Sequence, residues 1–536
     1  MLTVKNPNQL DIFDPWGFLT PKRRNLLDNS WPGLFRQQIL PSIPIHKIAK
    51  YFDETFGRPT KELYATAGAL ILQQTLDLTD EQTVRAYAFD MQWHYALNIT
   101  EESDTAKYLS LKTLWNNRNI VSSNNLEADI FKAGTGKLAQ VFGVNIDKQR
   151  IDSVHIKSNM RRLSRIGIFS ESIHKFLVNL KRGHQDRFES VAKAVVDRYL
   201  TETALGCFSS VKPSESKKTL KEVSRDLFDL VQQFKDFPDV TSMYSYQLLE
   251  RVLKEHCNLT EDKDNPVELK EPKEIPSDSL QNPSDPDATY DGHKGQGYQV
   301  QVMETFCDDA QKKEESFNLI THVEVEPAHH SDAKALIPAI ESTEEQNLKP
   351  KELTADSLYG SDDNSQKAEK HDVELIAPTM GSVEKDKLSL SDFQMNEKGE
   401  VIACPGGNAP AKVKKRKKVS VGFAAQDCQN CPNLSNCPVK EGKKYYYLRI
   451  TDKEMRLAKR RIYEQSEEFK DRYRWRAGAE ATMSEYDRRT GVKRLRVRGL
   501  KAVRFSATLK ALGVNIFRAA AFRASKMMSE PAFCGA

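Results

Sequence analysis

The sequence predicts an α/β protein preceded by an all-α N-terminal region, on three observations. Apolar residues recur at helical spacing through KELYATAGALILQQTLDLTDEQTVRAYAFDMQWHYALNI, near the start of the chain. Further on, GYQVQVMETF from Gly297 and LITHVEVEP from Leu319 alternate apolar and polar residues, the period of a β-strand. Two more strand-like runs, ELTADSLYGS from Glu352 and DVELIAP from Asp372, are separated by DDNSQKAEKH, a polar segment compatible with a helix. Strand, helix and strand in succession is the alternation of an α/β layer.

At 536 residues, 39% hydrophobic and 29% charged, the chain is long enough to bury a sizeable core under a polar surface. It contains no run of about 18 apolar residues, and its start lacks the basic and apolar regions of a signal peptide. An intracellular protein with no membrane contact is therefore expected. Net charge is only +5, yet residues 453–504 hold 17 Lys/Arg against eight Asp/Glu, a local surplus that suits a polyanion such as DNA. Eight cysteines are few for this length, which argues against a disulfide scaffold.

In order, residues 1–145 read as a helical N-terminal domain, with Thr79 or Asp80 as a helix cap and a basic, Asn-rich helix in LSLKTLWNNRNIVSSNN. Such a helix can meet a DNA backbone, or can simply be a solvated face. The GTGK of residues 134–137 is not a phosphate loop, since Phe131 and Leu138 stand where that loop needs Gly and Ser/Thr. Residues 146–160 carry a short β-rich run, IDSVHIK, with Asp152 inside it; residues 161–262 return to helix as an insertion. Five prolines in residues 263–290 predict a linker. Residues 291–384 hold the strands already named, with Asp356 ending one of them; Gly292, Gly295 and Gly297 punctuate a hairpin. Residues 385–450 form a separate basic insertion, residues 451–525 a basic helix and a core helix, and residues 526–536 a frayed tail.

Several residues stand out chemically. An aspartate in an apolar strand, such as Asp152, must be solvated, paired or metal-bound. Asp356 lies at a strand end, where α/β sheets commonly bind ligands, although a turn before Gly360 explains it equally well. In YRWRAGAEATMSEYDRRTGVKRLRVR, from Tyr473, the helical period puts Tyr473, Arg476, Glu480, Ser484 and Asp487 on one stripe. Glu480 is the odd acid in this basic stretch; ordinary i,i+4 pairs with arginine are its bland explanation. Gly478 weakens the helix just before it. In the basic insertion, Cys404, Cys428, Cys431 and Cys437 follow the spacing Cys-x23-Cys-x2-Cys-x5-Cys, able to give four thiolates to Zn²⁺ or to remain free thiols. Between the first two lies KVKKRKK, whose Lys414, Lys415, Arg416 and Lys417 suit DNA phosphates. Three carboxylates, Asp152, Asp356 and Glu480, supply the oxygen ligands that Mg²⁺ or Mn²⁺ prefers.

The order of these motifs resembles the DDE-type transposases of bacterial insertion sequences, over roughly residues 146–523. The most specific part is the family's Tyr-x2-Arg-x3-Glu-x6-Lys signature, met here by Tyr473, Arg476 and Glu480, with the basic partner one place late at Arg488 and Asp487 in its expected position. The resemblance implies a ribonuclease-H-like mixed sheet core, interrupted by the helical and cysteine-bearing insertions. It implies further that Asp152, Asp356 and Glu480 bind two divalent cations, Mg²⁺ or Mn²⁺, and that water attacks at a transposon end. The freed 3′-hydroxyl then attacks target DNA. Tyr473 and Arg476 would hold the DNA strand, and two ends acting together imply a homodimer or larger assembly on DNA, in a bacterial cytoplasm at the nucleoid. A metal-dependent nuclease without strand transfer, or a non-catalytic DNA-binding relative, are the alternative readings.

Overall fold

Strand β1 (Lys148–Lys157) sits at the centre of a six-stranded sheet because its apolar residues serve both faces. Ile151 is buried with one helical layer, Val154 and Ile156 with the other. One edge of β1 pairs antiparallel with β3 (Gly295–Thr305), whose far edge carries β2 (Thr289–Asp291) and β4 (Ile320–Pro327). The other edge pairs parallel with β5 (Glu352–Thr354), and β5 pairs parallel with β6 (Glu374–Ile376). The computed structural model describes residues 1–8, 14–200, 212–262, 264–309, 311, 313–381, 386–396, 398–415 and 418–529.

The N-terminal region is helical as read. Helix α1 (Leu63–Thr75) starts where Glu62 accepts from the amides of Tyr64 and Ala65, and the next helix starts in a capping box built by Thr79 and Gln82. The GTGK tetrapeptide lies inside helix α2 (Leu126–Phe142), where Gly134 lets Leu512 approach closely. These helices and the long C-terminal one cover the Val154 face of the sheet; α3 (Leu336–Glu345) and α4 (Asp362–Lys370) cover the Ile151 face. The result is three layers, helix on mixed sheet on helix. No helix among the described residues is long and apolar enough to cross a membrane.

The insertion after β1 has its own core, where helices Arg165–Gly183, Ser216–Phe234 and Tyr244–His256 bury Phe169, Phe176, Leu227, Phe234 and Leu249. The proline-dense segment that follows differs from the expected linker. Leu280 joins that core, and Ser279, Asn282 and Asp285 are buried. Proline removes helix but does not prevent burial when the polar groups find partners: Asp285 accepts from Ser158 Oγ at 2.6 Å, Tyr298 Oη at 2.5 Å and the amide of Gly499 at 2.9 Å.

The cysteine-bearing insertion folds around a three-stranded antiparallel sheet, β7 (Lys412–Lys415), β8 (Val419–Ala424) and β9 (Tyr445–Ile450). Helix α5 (Asp452–Tyr463) then ties it to the main body. Arg456 holds Asp362 of α4 through both carboxylate oxygens at 3.0 and 2.7 Å, and Arg460 donates to the carbonyls of Gly360 and Ala377 at 3.0 and 3.1 Å. The chain continues through α6 (Glu467–Tyr473), α7 (Gly478–Thr490) and α8 (Leu500–Ser529).

A buried charge network joins these elements under α7. Arg150 of β1, 5% exposed, donates through Nε to Glu304 of β3 at 2.8 Å. Glu304, 2% exposed, also accepts from Thr482 Oγ1 of α7 at 2.6 Å and from Arg518 Nη1 of α8 at 2.9 Å. Arg518 reaches on to Glu485 of α7 at 2.9 Å. Removing one member of such a network strands the rest without compensation, so Glu304→Gln should lower unfolding free energy by about 3–5 kcal/mol. Urea denaturation checks this; a loss within error of zero would contradict it.

Candidate active site

The parallel register between β1 and β5 brings the two aspartates together. Arg150 pairs with Thr354 at the end of that ladder; Asp152 stands two residues further along β1, and Asp356 two residues beyond the end of β5. The side chain of Asp152 is 13% exposed. Burial pushes its carboxyl above the ordinary range, Asp356 and Asp332 push the same way, and Arg476 together with the amide of Ser153 oppose them. Asp356 has left the ladder and accepts from the amide of Leu358 at 2.8 Å, which opens the turn into α4.

Glu480 arrives on α7, but not by the uninterrupted helical stripe that the period suggests. Residues 474–477 tighten into a 3₁₀ turn between α6 and α7. The cause is visible: Arg150 Nη1 donates to the carbonyl of Trp475 at 2.8 Å, and a Cβ on Gly478 would lie 2.0 Å from that nitrogen. Gly478 is therefore the clearance for a buried guanidinium and not a break, since α7 begins on it. From the 3₁₀ turn Arg476 donates to Asp152 at 3.0 Å and to Glu480 at 3.3 Å, bridging the two acids, while its buried Nε has no hydrogen-bond partner among the described residues. Glu480 itself is 73% exposed, and its i,i+4 pair with Arg476 is the bland arrangement weighed above. Tyr473, at the end of α6, stacks on Phe469 with centroids 5.4 Å apart. Burial raises its hydroxyl pKa, Arg476 opposes this, and Asp356 and Asp152 add to it, which places the ring in electrostatic reach of both aspartates.

The other residues singled out lie elsewhere. Arg488 is exposed further along α7. Asp487, in the signature's last position, instead closes the helix end: it accepts from the amide of Lys493 at 3.0 Å next to Gly491, whose φ is +65°. Lys414 is exposed on β7; the side chain of Lys415, together with Arg416 and Lys417, lies outside the described residues. Cys404, Cys428, Cys431 and Cys437 are free thiols lining one cavity of about 20 Å³ with Phe423, Leu434 and Val439. Burial and the three neighbouring thiols push Cys428 up to about 11. Among the described residues, no group of three or more His, Cys, Asp or Glu is gathered tightly enough to hold a metal ion as it stands, neither these thiols nor the three carboxylates.

Two further groups at the site escaped the sequence reading. Asp332, just before α3, is buried behind Asp152 and accepts from Gln301 Nε2 at 2.7 Å and Ser153 Oγ at 3.2 Å. Arg150 shapes the turn that presents Arg476. Its sequence signal was a charge two places before Asp152, next to the apolar Ile151.

The raised carboxyl of Asp152 has a sign that can be tested. Above its folded pKa the ionised group costs the folded state free energy; below the ordinary carboxylate pKa it is protonated in both states and the cost vanishes. Asp152→Asn, in chelator, should therefore melt at a higher temperature than the parent at neutral pH, with the gain fading as pH falls through the carboxylate range. A lower melting temperature at neutral pH would contradict this electrostatic picture.

Two family models match parts of the chain. Residues 403–520 match a transposase DDE domain, a span that takes in the four cysteines, Tyr473, Arg476, Glu480 and Arg488 but neither Asp152 nor Asp356. Residues 26–119 match a second transposase domain, within the helical N-terminal region. No curated protein matches the chain significantly. Transposases act on DNA, and the DDE family generally uses divalent metal ions. The two matches, over residues 26–119 and 403–520, indicate a DDE-type transposase of the insertion-sequence kind, and the DDE-domain family indicates an enzyme of the polynucleotidyl transferase/endonuclease class.

Proposed function

We propose that the chain cuts DNA at transposon ends and joins the freed 3′-hydroxyl to target DNA, with Asp152, Asp356 and Glu480 as the ligands of two divalent cations, Mg²⁺ or Mn²⁺. The observation that carries this reading is the placement of Asp152 and Asp356 just past the last pair of the β1–β5 ladder, close enough for each charge to bear on the other, with Arg476 linking Asp152 to Glu480. The mixed sheet with helices on both faces supports the ribonuclease-H-like core that the resemblance implies. The donor set fits the cations: all three are carboxylates, and Asp152 is a buried acid whose neighbours Asp356 and Asp332 add negative charge. Bound there, a pair of such ions would activate the attacking hydroxyl and stabilise the leaving oxygen.

The chain's own groups divide the remaining work. Arg476 neutralises Asp152 and Glu480 while they face each other across it; with those acids otherwise engaged, its guanidinium is free for a phosphate of the strand being cut. Tyr473, held by Phe469, offers a flat surface beside the two aspartates on which that strand can rest. In the first step water adds to phosphorus, the bond to the 3′-oxygen breaks, and that oxygen leaves as the hydroxyl. In the second the hydroxyl attacks a target phosphodiester and displaces its 3′-oxygen in turn.

The helical region 1–145 is proposed to bind DNA, Arg488 and the 414–417 run to contact phosphates, and two or more copies to act together on paired ends, in the cytoplasm at the nucleoid. The four cysteines are proposed to close on one Zn²⁺, since all of them face one small cavity.

Asp152→Asn, Asp356→Asn and Glu480→Gln should each raise the cleavage barrier by about 4 kcal/mol or more, roughly a thousandfold in rate, while gel-shift binding persists. Unchanged cleavage in any of the three would remove that residue from the site. Elemental analysis of purified protein should find near-stoichiometric zinc that is lost in Cys428→Ser/Cys431→Ser; protein without zinc would leave the cavity a cluster of thiols.

A further inference from the structure

The basic surplus that the sequence shows in residues 453–504 separates, in the structure, into two populations. Many of its arginines neutralise internal carboxylates: Arg456 pairs with Asp362, Arg472 with Glu374, Arg489 with Glu485, Arg496 with Asp77 and Arg504 with Glu127. These cations hold the fold together and contribute little net field. Arg494, Arg498 and Lys501 are exposed, and none is paired with a carboxylate among the described residues.

The unpaired set does not stand alone. Buried Asp285 accepts from Ser158 Oγ with one oxygen and from the amide of Gly499 with the other, which clamps the chain just beyond β1 to the start of α8. Arg161 and Arg162 lie in the first of those segments, both exposed and likewise without a carboxylate partner among the described residues. The backbone of Arg161 is fixed by Asn282 at 3.0 Å, Arg162 lies over the ring of Tyr290 at 5.2 Å, and Arg498 reaches Met160 Sδ at 3.0 Å across the junction. The clamp at Asp285, which also accepts from Tyr298, and the Arg498–Met160 contact thus bring the segment of Arg161 and Arg162 beside Gly499, with Arg494 and Arg498 just before that glycine in sequence and Lys501 just after it. That surface follows directly on α7, along which Glu480 lies about 15 Å before the helix end at Thr490.

We propose that Arg161, Arg162, Arg494, Arg498 and Lys501 form a phosphate-binding surface for the backbone of duplex DNA, separate from the Tyr473 and Arg476 contacts at the site of cleavage. The clamp at Asp285 sets its shape, and the reach of about 15 Å from Glu480 to the end of α7 lets one duplex touch both the surface and Glu480, with roughly four base pairs between them at about 3.4 Å each. Guanidinium groups without internal partners recognise phosphate by charge and not by base, so the surface should hold DNA of any sequence. The assignment of duplex DNA rests on the transposase reading.

The test is fluorescence-anisotropy binding of a short mixed-sequence duplex over a range of salt, using the full chain with Asp152→Asn so that no cutting intervenes. Each phosphate contact adds about 0.9 to the slope of log affinity against log salt. Arg161→Gln/Arg162→Gln/Arg494→Gln/Arg498→Gln should flatten that slope by about 3–4 and weaken binding alike for unrelated sequences. Arg496→Gln, which removes an internally paired arginine, should leave the slope unchanged. An unaltered slope in the four-residue variant, with its melting temperature intact, would overturn the proposal, as would stronger binding of single-stranded RNA of equal length lost in the same variant. Cleavage by the parent chain is scored separately: a flattened slope without any cleavage sinks the transposase reading and spares the surface, whereas cleavage with an unaltered slope sinks the surface alone.

Discussion

Arg150, Glu304 and Arg518 meet in the interior beneath α7, and the geometry of the site hangs on that contact. Each comes from a different element: a central strand, its antiparallel neighbour and the C-terminal helix. Desolvating these charges is costly, and an apolar replacement of similar size could be as stable or more so. Direction is what the ionic version adds. Arg150 has one nitrogen left for the carbonyl of Trp475, and that bond draws residues 474–477 into the tight turn from which Arg476 reaches Asp152. Thr482 and Glu485 fix the same helix from its own side. A helix packed by greasy contacts alone could slide along the sheet by a fraction of a turn; one pinned at Trp475, Thr482 and Glu485 cannot.

The aspartates owe their placement to a simpler constraint. The parallel ladder aligns Arg150 with Thr354, so Asp152 on β1 and Asp356, in the turn just past the end of β5, leave the same point of the sheet, and the turn that accepts the amide of Leu358 completes the placement. Asp332 behind them adds to the negative charge, and Arg476 is the counter-charge present in the chain itself. The site is thus held between an acid cluster and one guanidinium with two claims on it, a balance that a cation or a DNA phosphate can shift.

Much of this was legible in the sequence, for identifiable reasons. Strands β3 and β4 show their period of two directly, the Thr79 cap is local, and Asp152 stands out because apolar strands rarely carry an acid. Partnerships across the chain were not legible. Arg150 and Trp475 are 325 residues apart, so Gly478 looked like a weak point in a helix when it is the space for a guanidinium. Counting charges found the basic stretch but could not tell Arg496, paired with Asp77, from Arg494, paired with no carboxylate among the described residues. The proline-dense segment carries no α-helix among its described residues, only a 3₁₀ turn at Pro272–Glu274, yet Asp285 within it organises the surface beside α8, because side-chain hydrogen bonds and not backbone period hold it in place.

The most direct measurement of the central claim is a joining assay with the unmodified chain. DNA that ends in the inverted repeats flanking the coding region, labelled at that end, is incubated with supercoiled plasmid and Mg²⁺ or Mn²⁺. The account predicts labelled strands covalently joined to plasmid through the 3′ end, dependent on the divalent cation. Cleavage without joined product would mark the chain as a nuclease, and intact ends in the presence of either cation would contradict the site built from Asp152, Asp356 and Glu480.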